Sequence, residues 1–311
     1  MIDIWPNFDL EYKHFNYNSI KSVERVISKK FNYPHVVFLS SGRSSIVSCF
    51  KSLNFKRFDK IGYAPYANAC IFRTLGEVST PVPSNINGTS LKGQLIYHQW
   101  GYVQKTKLKS IIVEDSIDSL IVDKKGLFPN NGRYEIVSLS KLLRLPYGAI
   151  VFCKNKLLKD RLVNVRNNNK SISSIQFYLK IMSKYSSIAK KYWHHLETLN
   201  SYPGNKLNDL IIKRIENYDN LIDDRNEKLE LIKKFITIKI SNHRLPIIVP
   251  LDINKKKIDK IKKMKKFFNY YRHYNINENS NDWKLKKFFP LPIHQDIDIS
   301  TIKKVVRILE S

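Results

Sequence analysis

Short runs of apolar residues recur along the first half of the chain, and they constrain the fold more than any other feature. They lie at residues 36–39, 95–98, 110–113, 135–138 and 149–152. Several are continuous rather than alternating, which is typical of strands buried on both faces of a parallel sheet. Segments with helical spacing of apolar residues occur between them, so the sequence predicts an α/β fold.

The first run lies between two predicted helices. Residues 20–31 have the periodicity of an amphipathic helix, with Asn18 and Ser19 as candidate caps. After the strand at 36–39, a polar turn at 40–45 leads into a second helical pattern. This order places a helix N-terminus beside Gly42, which is a favourable position for a phosphate group.

The pattern changes near residues 202–204. From Leu207 a long helical period follows, then a strand at 245–249, a lysine-rich segment at 255–266 and a last helix from about Thr301 that Ser300 is expected to cap. In the lysine-rich segment an apolar stripe favours a packed helix with one solvated face. We therefore expect a large α/β/α domain with a mostly parallel sheet at residues 1–203, and a smaller C-terminal α+β domain at residues 204–311.

The charge balance favours anionic ligands. Lys and Arg number 54 against 27 Asp and Glu, which leaves a formal net charge of +27. The excess is spread among Asn, Ile and Ser residues, so biased codon usage explains it as readily as function does. The segment 270–274 alternates aromatic and basic residues, but no nucleic-acid module is recognisable, and nucleic acid is not an expected partner.

The sequence predicts neither a metal site nor a membrane span. Cys49, Cys70 and Cys153 are widely spaced in apolar surroundings, which argues against a disulfide framework or a zinc site and suits a cytoplasmic location. His194, His195 and Glu197 provide too few metal ligands, and a surface helix is expected there. No run approaches the ~20 apolar residues of a membrane span.

Three segments that carry polar or charged residues each follow an apolar strand. They are residues 41–44, 113–115 and 138–141. Because the carboxyl ends of parallel strands line one crevice, these segments should converge on one ligand.

Together the segments offer what pyridoxal phosphate (PLP) requires. Backbone N–H groups and hydroxyls for its phosphate are available from Gly42, Arg43, Ser44 and Ser138. Asp115 offers a carboxylate that would keep the ring nitrogen protonated. Lys141 offers the amine that would condense with the aldehyde.

These segments resemble those of the DegT/DnrJ/EryC1/StrS family of PLP-dependent sugar aminotransferases, which have fold type I. Residues 41–46 are similar to the family's SGTAAL phosphate loop, and residues 114–119 to its ED-A-A-(Q/H)-A segment. The distance from Lys141 to Gly148 matches that from the family's lysine to a glycine pair. Residues 98–101 resemble its H-L-x-G turn, which adds His98 to the expected cofactor set.

The resemblance implies a Schiff base on Lys141, a salt bridge from Asp115 to the pyridinium, and phosphate contacts from Gly42, Arg43 and Ser138. It also implies a homodimer with active sites near the subunit interface. The expected substrates are a nucleotide-linked keto-sugar and an amino donor such as glutamate, in surface polysaccharide biosynthesis.

The chain departs from the family pattern at several positions. Arg43 replaces the usual Thr, and Ile136 stands where a serine is common, although Ser138 fits the S-x-x-K pattern of other fold-type-I enzymes. Asp118 replaces Gln or His. A carboxylate there would repel the cofactor's phenolate oxygen, serve as an extra acid or base, or indicate an altered cofactor site, so Asp118 also joins the candidate set.

Three hypotheses follow from the sequence. The first is transamination of a nucleotide-linked keto-sugar. The second is other PLP chemistry on the same fold, such as sugar dehydration or amino-acid condensation. The third is a cofactor-free relative that serves as a binding or scaffold protein. For Arg244 the sequence leaves two roles open, a ligand for a substrate anion and a surface ion pair.

Overall fold

The computed structural model describes residues 5–8, 18–84, 90–107, 110–168, 173–264, 272–277 and 284–311. The strands in these ranges are β1 (Val36–Leu39), β2 (Lys60–Tyr63), β3 (Thr80–Pro83), β4 (Gly93–Tyr97), β5 (Ile111–Asp115), β6 (Ser119–Ile121), β7 (Tyr134–Ser138), β8 (Ala149–Cys153), β9 (Arg244–Pro246), β10 (Ile248–Leu251), β11 (Arg272–Asn275) and β12 (Leu285–Pro292).

The α-helices in the same ranges are α1 (Ile20–Phe31), α2 (Gly42–Ser52), α3 (Ala69–Gly76), α4 (Leu139–Leu142), α5 (Lys156–Asn167), α6 (Ser173–Met182), α7 (Ser187–Leu196), α8 (Asn208–Glu216), α9 (Tyr218–Ile232), α10 (Lys255–Met264) and α11 (Ile299–Glu310). None of these helices is both long enough and apolar enough to cross a membrane.

A seven-stranded sheet in the order β1-β8-β7-β5-β4-β2-β3 forms the centre of the first half. All neighbouring pairs are parallel except those of β8, which is antiparallel to both β1 and β7. β8 reverses because only residues 139–148 connect it to β7, and a parallel return needs a crossover of roughly a dozen residues or more. The expected fold class, an α/β fold of type I with a mostly parallel sheet, is thus confirmed.

Helices cover both faces of this sheet. In β1, Val36 and Phe38 belong to one apolar cluster, while Val37 and Leu39 belong to another on the opposite face. All four side chains are fully buried, which explains why the run is continuous rather than alternating. The parallel directions bring the carboxyl ends of β1, β4, β5 and β7 to one edge of the sheet.

The second half contains more breaks than its periodicity predicts. The helical pattern from Leu207 is divided at Asn217 into α8 and α9. The strand expected at 245–249 is also two strands, since β9 pairs with β6 while β10 pairs with β12. One apolar cluster contains residues from both sides of residue 203, and the boundary between residues 1–203 and 204–311 stays a prediction.

The two expectations for the terminal helices of this half had different outcomes. α10 buries Ile258 and Ile261, as its apolar stripe predicts, whereas residues 265 and 266 lie outside the described ranges. The expected cap of the last helix is wrong. α11 begins at Ile299, because the carboxylate of Asp298 accepts hydrogen bonds from the backbone N–H and hydroxyl of Thr301 at 2.7 and 2.9 Å.

Arg244 has neither of the roles that the sequence leaves open. Its side chain is fully buried and forms an ion pair with Glu135, which is also fully buried. The guanidinium also donates to the hydroxyl of Ser116 at 2.6 Å and to the carbonyl of Gly126. This pair ties β9 to β7 of the central sheet.

Removing one partner of this pair should be costly, because it leaves a buried charge without compensation. We expect Glu135→Ala to lower the free energy of unfolding by about 3–5 kcal/mol, as measured by denaturant unfolding of the cofactor-free protein. The control is Asp252→Ala, which breaks the more exposed pair of Asp252 with Lys286 and should cost less than about 1 kcal/mol. Equal losses in both variants would contradict this account.

Candidate active site

The turn between β1 and α2 is held by a reciprocal capping box. Ser41 has an extended backbone, and its hydroxyl accepts a hydrogen bond from the N–H of Ser44 at 3.1 Å. The hydroxyl of Ser44 in turn accepts from the N–H of Ser41 at 3.0 Å. The box directs the first turn of α2, Gly42 and Arg43, toward the cavity described below.

Gly42 makes a close approach to the segment that follows β5. A Cβ atom at this position would lie 3.2 Å from Cγ2 of Ile117, in the segment that follows β5. A glycine thus lets the N-terminus of α2 pack directly against the end of the neighbouring element, so that two of the predicted segments meet.

Ser44 does not have the position that a phosphate contact requires. Its side chain is fully buried, and its N–H is used by Ser41. Its hydroxyl donates to the carbonyl of Ser41 at 2.9 Å and lies 2.8 Å from the hydroxyl of Ser40. The expectation that Ser44 binds the cofactor is therefore corrected: capping the helix uses both of its polar groups.

Lys141 lies in the short helix α4, directly after β7. The hydroxyl of Ser138 caps this helix and accepts from the Lys141 N–H at 3.4 Å. The Lys141 Nζ atom lies 2.6 Å from Oδ1 of Asp118, and 4.0 Å from the centroid of the Trp5 ring. The amine is thus held between a carboxylate and an aromatic face, and about a quarter of the side chain is exposed.

Asp118 and Asp115 lie together at the end of β5. Asp118 also accepts a hydrogen bond from the hydroxyl of Tyr97, while Asp115 accepts from the N–H of Ile117 at 3.1 Å. Burial, followed by the charge of Asp118, raises the pKa of Asp115 from 3.8 to about 7, against the opposing effects of the Ile117 N–H and Lys141. Asp115 therefore lacks a full counter-charge in the protein.

His98 is also corrected as a cofactor ligand. Its ring is fully buried, with Nε2 2.8 Å from Glu114 and Nδ1 accepting from the N–H of Gln104 at 3.1 Å. Burial and the charge of Arg244 lower the pKa of His98 to about 4, so the ring is neutral at physiological pH. One ring nitrogen joins the end of β4 to β5 and the other binds the loop at Gln104, so neither is available to a ligand.

One cavity of about 530 Å³ joins the remaining residues. Its walls include Gly42, Arg43, Ser138 and Lys141 from the predicted segments. Asp115 and Asp118 are not on the wall but directly behind it. Ile117, which donates to Asp115, and Lys141, which pairs with Asp118, both line the cavity.

Sequence reasoning missed two further parts of the wall. One is the N-terminal segment with Trp5, Pro6 and Phe8, and the other is the α6–α7 hairpin, which contributes Lys180, Lys190 and Trp193 together with Glu197 beyond its end. The expectation of a surface position is wrong for Glu197, which is buried and forms an ion pair with Arg43. The side chains of His194 and His195 lie outside the described part. A usable signal was present, since residues 173–196 contain four lysines and no Asp or Glu.

These residues fit PLP. The cavity lies within the roughly 300–1,000 Å³ of small-molecule sites. Its lining includes a lysine amine, further cations and a helix N-terminus, and the buried carboxyl group of Asp115 lies behind the lining. The raised pKa of Asp115 shows that this carboxyl group would gain from a cationic partner such as a pyridinium.

The raised pKa of Asp115 makes a prediction about stability without cofactor. Between pH 3.8 and about 7 the folded protein retains a proton that the unfolded chain has released, so this group lowers stability as the pH rises through that window. We expect Asp115→Asn to melt several degrees above the wild type at about pH 8, with a smaller difference at about pH 5. Thermal unfolding at both pH values measures this. Asp160→Asn, on the exposed face of α5, is the control, and a pH-independent difference for Asp115→Asn would refute the assignment.

Comparison with known proteins agrees with this geometry. A family model described as "Putative PLP-dependent aminotransferase" matches residues 27–309. The sugar aminotransferase CalS13 from Micromonospora echinospora superposes with a TM-score of 0.66 at 13% identity, covering 100% of this chain and 99% of that chain. A DegT/DnrJ/EryC1/StrS aminotransferase from Brucella abortus gives a TM-score of 0.60 at 10% identity, covering 94% and 89%.

A third solved structure contains the cofactor by its description. The PLP form of Spr1654 from Streptococcus pneumoniae, described as a "Putative sugar aminotransferase", gives a TM-score of 0.62 at 9% identity and covers 97% of this chain and 96% of that chain. No curated protein sequence matches. At these identities the structures establish the fold, while the family model covers all three polar segments. The chain belongs to the family of PLP-dependent aminotransferases.

Proposed function

We propose that the protein transfers an amino group to a keto-sugar attached to a nucleotide, in surface polysaccharide or related biosynthesis. An amino acid such as glutamate is the donor. The observation that carries this proposal is the Lys141 amine, placed on the wall of one cavity together with the first turn of α2 and with Asp115 directly behind. The fold of sugar aminotransferases and the basic cavity wall, which suits the phosphates of a nucleotide, support the choice of acceptor.

The residues divide the chemistry between them. PLP, when bound, supplies a ring that accepts the electrons released when the substrate carbon loses its proton. Lys141 is the general base and acid that holds this proton and returns it. Asp115 is the partner of the ring nitrogen, and Gly42, Arg43 and Ser138 face the phosphate.

Asp118 positions the amine for this task. Its Oδ1 atom lies 2.6 Å from the Lys141 Nζ atom, while Tyr97 donates to its Oδ2 atom and so fixes the carboxylate. Trp5 contacts the amine as well, with its ring centroid 4.0 Å from the Lys141 Nζ atom. A proton on Lys141 therefore has one defined acceptor within the protein.

The same pair supports a second candidate function. A carboxylate beside the lysine provides an additional acid or base, which PLP-dependent dehydration of a sugar or condensation of an amino acid would use. Transamination predicts that glutamate alone converts the bound cofactor to the pyridoxamine form, whereas condensation of an amino acid does not. Dehydration is distinguished by a sugar product that has lost a hydroxyl group and gained no nitrogen.

We also propose a homodimer in the cytoplasm. The outer face of the α6–α7 hairpin exposes more than half of each of several large apolar side chains, among them Tyr178, Met182 and Ile188. Such a patch is typical of a protein contact surface. The three cysteines are free thiols, which suits a reducing compartment.

Lys141→Ala tests the central assignment. We expect the variant to lose the visible absorbance of lysine-bound PLP and to lower turnover with a keto-sugar nucleotide by about 100-fold or more. Absorbance spectra before and after addition of glutamate measure both the attachment and the first half-reaction. Lys51→Ala, on the exposed side of α2, is the matched control and should behave as the wild type.

Two outcomes would overturn the proposal. If Lys141→Ala keeps the visible absorbance of the wild type, another lysine binds the cofactor. If the wild type binds PLP but glutamate leaves its spectrum unchanged and no other amino acid converts it, the protein uses PLP for a different reaction.

A further inference from the structure

The α6–α7 hairpin is fixed beside the end of β1 by polar contacts. The hydroxyl of Ser40 donates to the carbonyl of Asn200 at 2.7 Å, and the N–H of Ser40 donates to the carbonyl of Ser201 at 3.0 Å. The amide of Asn200 donates to Gln176 on α6 at 3.2 Å. The inner face of the hairpin therefore has a defined position next to the first turn of α2.

The inner face of the hairpin, which contains Lys180, Lys190 and Trp193, lines the cavity that contains Lys141, here called the Lys141 cavity. Lys180 and Lys190 line the same cavity as Arg43, and the Lys180 ammonium lies 5.0 Å from the centroid of the Trp193 ring. Because α6 and α7 contain neither Asp nor Glu, the hairpin itself supplies no counter-charge for these lysines.

The cavity consequently carries excess positive charge. Among the described residues that line it, Glu197 is the only carboxylate, and it is paired with Arg43. Lys141 is balanced by Asp118. Lys180 and Lys190 remain as two charges that Glu197 and Asp118 do not neutralise.

The pKa shift of Lys180 agrees with an excess of positive charge in the cavity. Burial lowers the pKa of Lys180; the charge of Glu197 opposes the shift, whereas the charges of Arg43 and Lys190 add to it. A group of this kind gains from an anion that enters the cavity, since the anion offsets both the lost hydration and the repulsion between cations.

We propose that Lys180 and Lys190, beside Arg43, form an anion site that binds the phosphate group of PLP. The inference rests on the Lys141 cavity being the cofactor site. A phosphate monoester carries close to two negative charges at neutral pH, which matches the excess of two cations. The first turn of α2, which carries Arg43, lines the same cavity and adds backbone N–H groups. The phosphate site thus includes an element, the hairpin, that lies outside the three motifs of the sequence.

Comparing the binding of PLP with that of pyridoxal tests this role, because pyridoxal is the same molecule without the phosphate group. We expect Lys180→Gln and Lys190→Gln each to raise the dissociation constant of PLP by about 10-fold to 100-fold, as for the loss of a charge-assisted hydrogen bond. The dissociation constant of pyridoxal should change by less than about twofold. Absorbance titration of the full-length protein measures both ligands.

Two further variants complete the design. Glu197→Gln removes the one carboxylate on the wall and should tighten binding of PLP but not of pyridoxal. Lys191→Gln is the matched control, because this neighbouring lysine does not line the Lys141 cavity and should leave both constants unchanged.

Three other results would each contradict the proposal for a different reason. If both lysine variants bind PLP as the wild type does but show a raised KM for a nucleotide-linked substrate, the cations bind the substrate's phosphates and the proposal is wrong. If PLP and pyridoxal weaken equally, the lysines only support the hairpin and the proposal is again wrong. If the wild type binds neither ligand, the proposed function fails together with this inference.

Discussion

Burial of carboxylates within the central sheet is the constraint on which the rest of the structure depends. Glu114 and Glu135 are fully buried in β5 and β7, and each has been given donors. Glu114 accepts from His98 and from the N–H of Gly132 at 2.8 Å. Glu135 is paired with Arg244 from β9, which ties the C-terminal half to the sheet. Without these donors each charge would cost several kcal/mol, on the order given for buried ions.

Asp115 is the exception among these carboxylates, and the exception marks the active site. Its single recorded donor is the N–H of Ile117, and its neighbour Asp118 is a like charge. A fold selected for stability alone would supply a cation here, as it does for Glu135. Because no cation is bonded to Asp115 among the described contacts, its carboxylate is available to pair with a cationic ring nitrogen.

Much of the site was predictable because its geometry follows from local sequence. The run 36–39, the cap at Ser41 and the glycine at position 42 determine a strand, a turn and a helix N-terminus within a few residues. Asp115 is the last residue of β5 and Lys141 comes three residues after the end of β7, and parallel direction then brings them to one edge. Ser44 and His98 were assigned wrongly because a sequence pattern does not show which partner a polar group already has.

The sequence by itself determined the α/β fold, five of the seven strands of the central sheet and the three segments that meet at its edge, since each depends on patterns over a few residues. Only the tertiary structure decided that Arg244 is a buried partner of Glu135, that Trp5 covers Lys141, and that Lys180 and Lys190 enter the cavity. Those contacts join residues far apart in the chain, and no local periodicity records them. The energies of these charged groups change only when folding removes water from around them, which is why they depend on the tertiary structure.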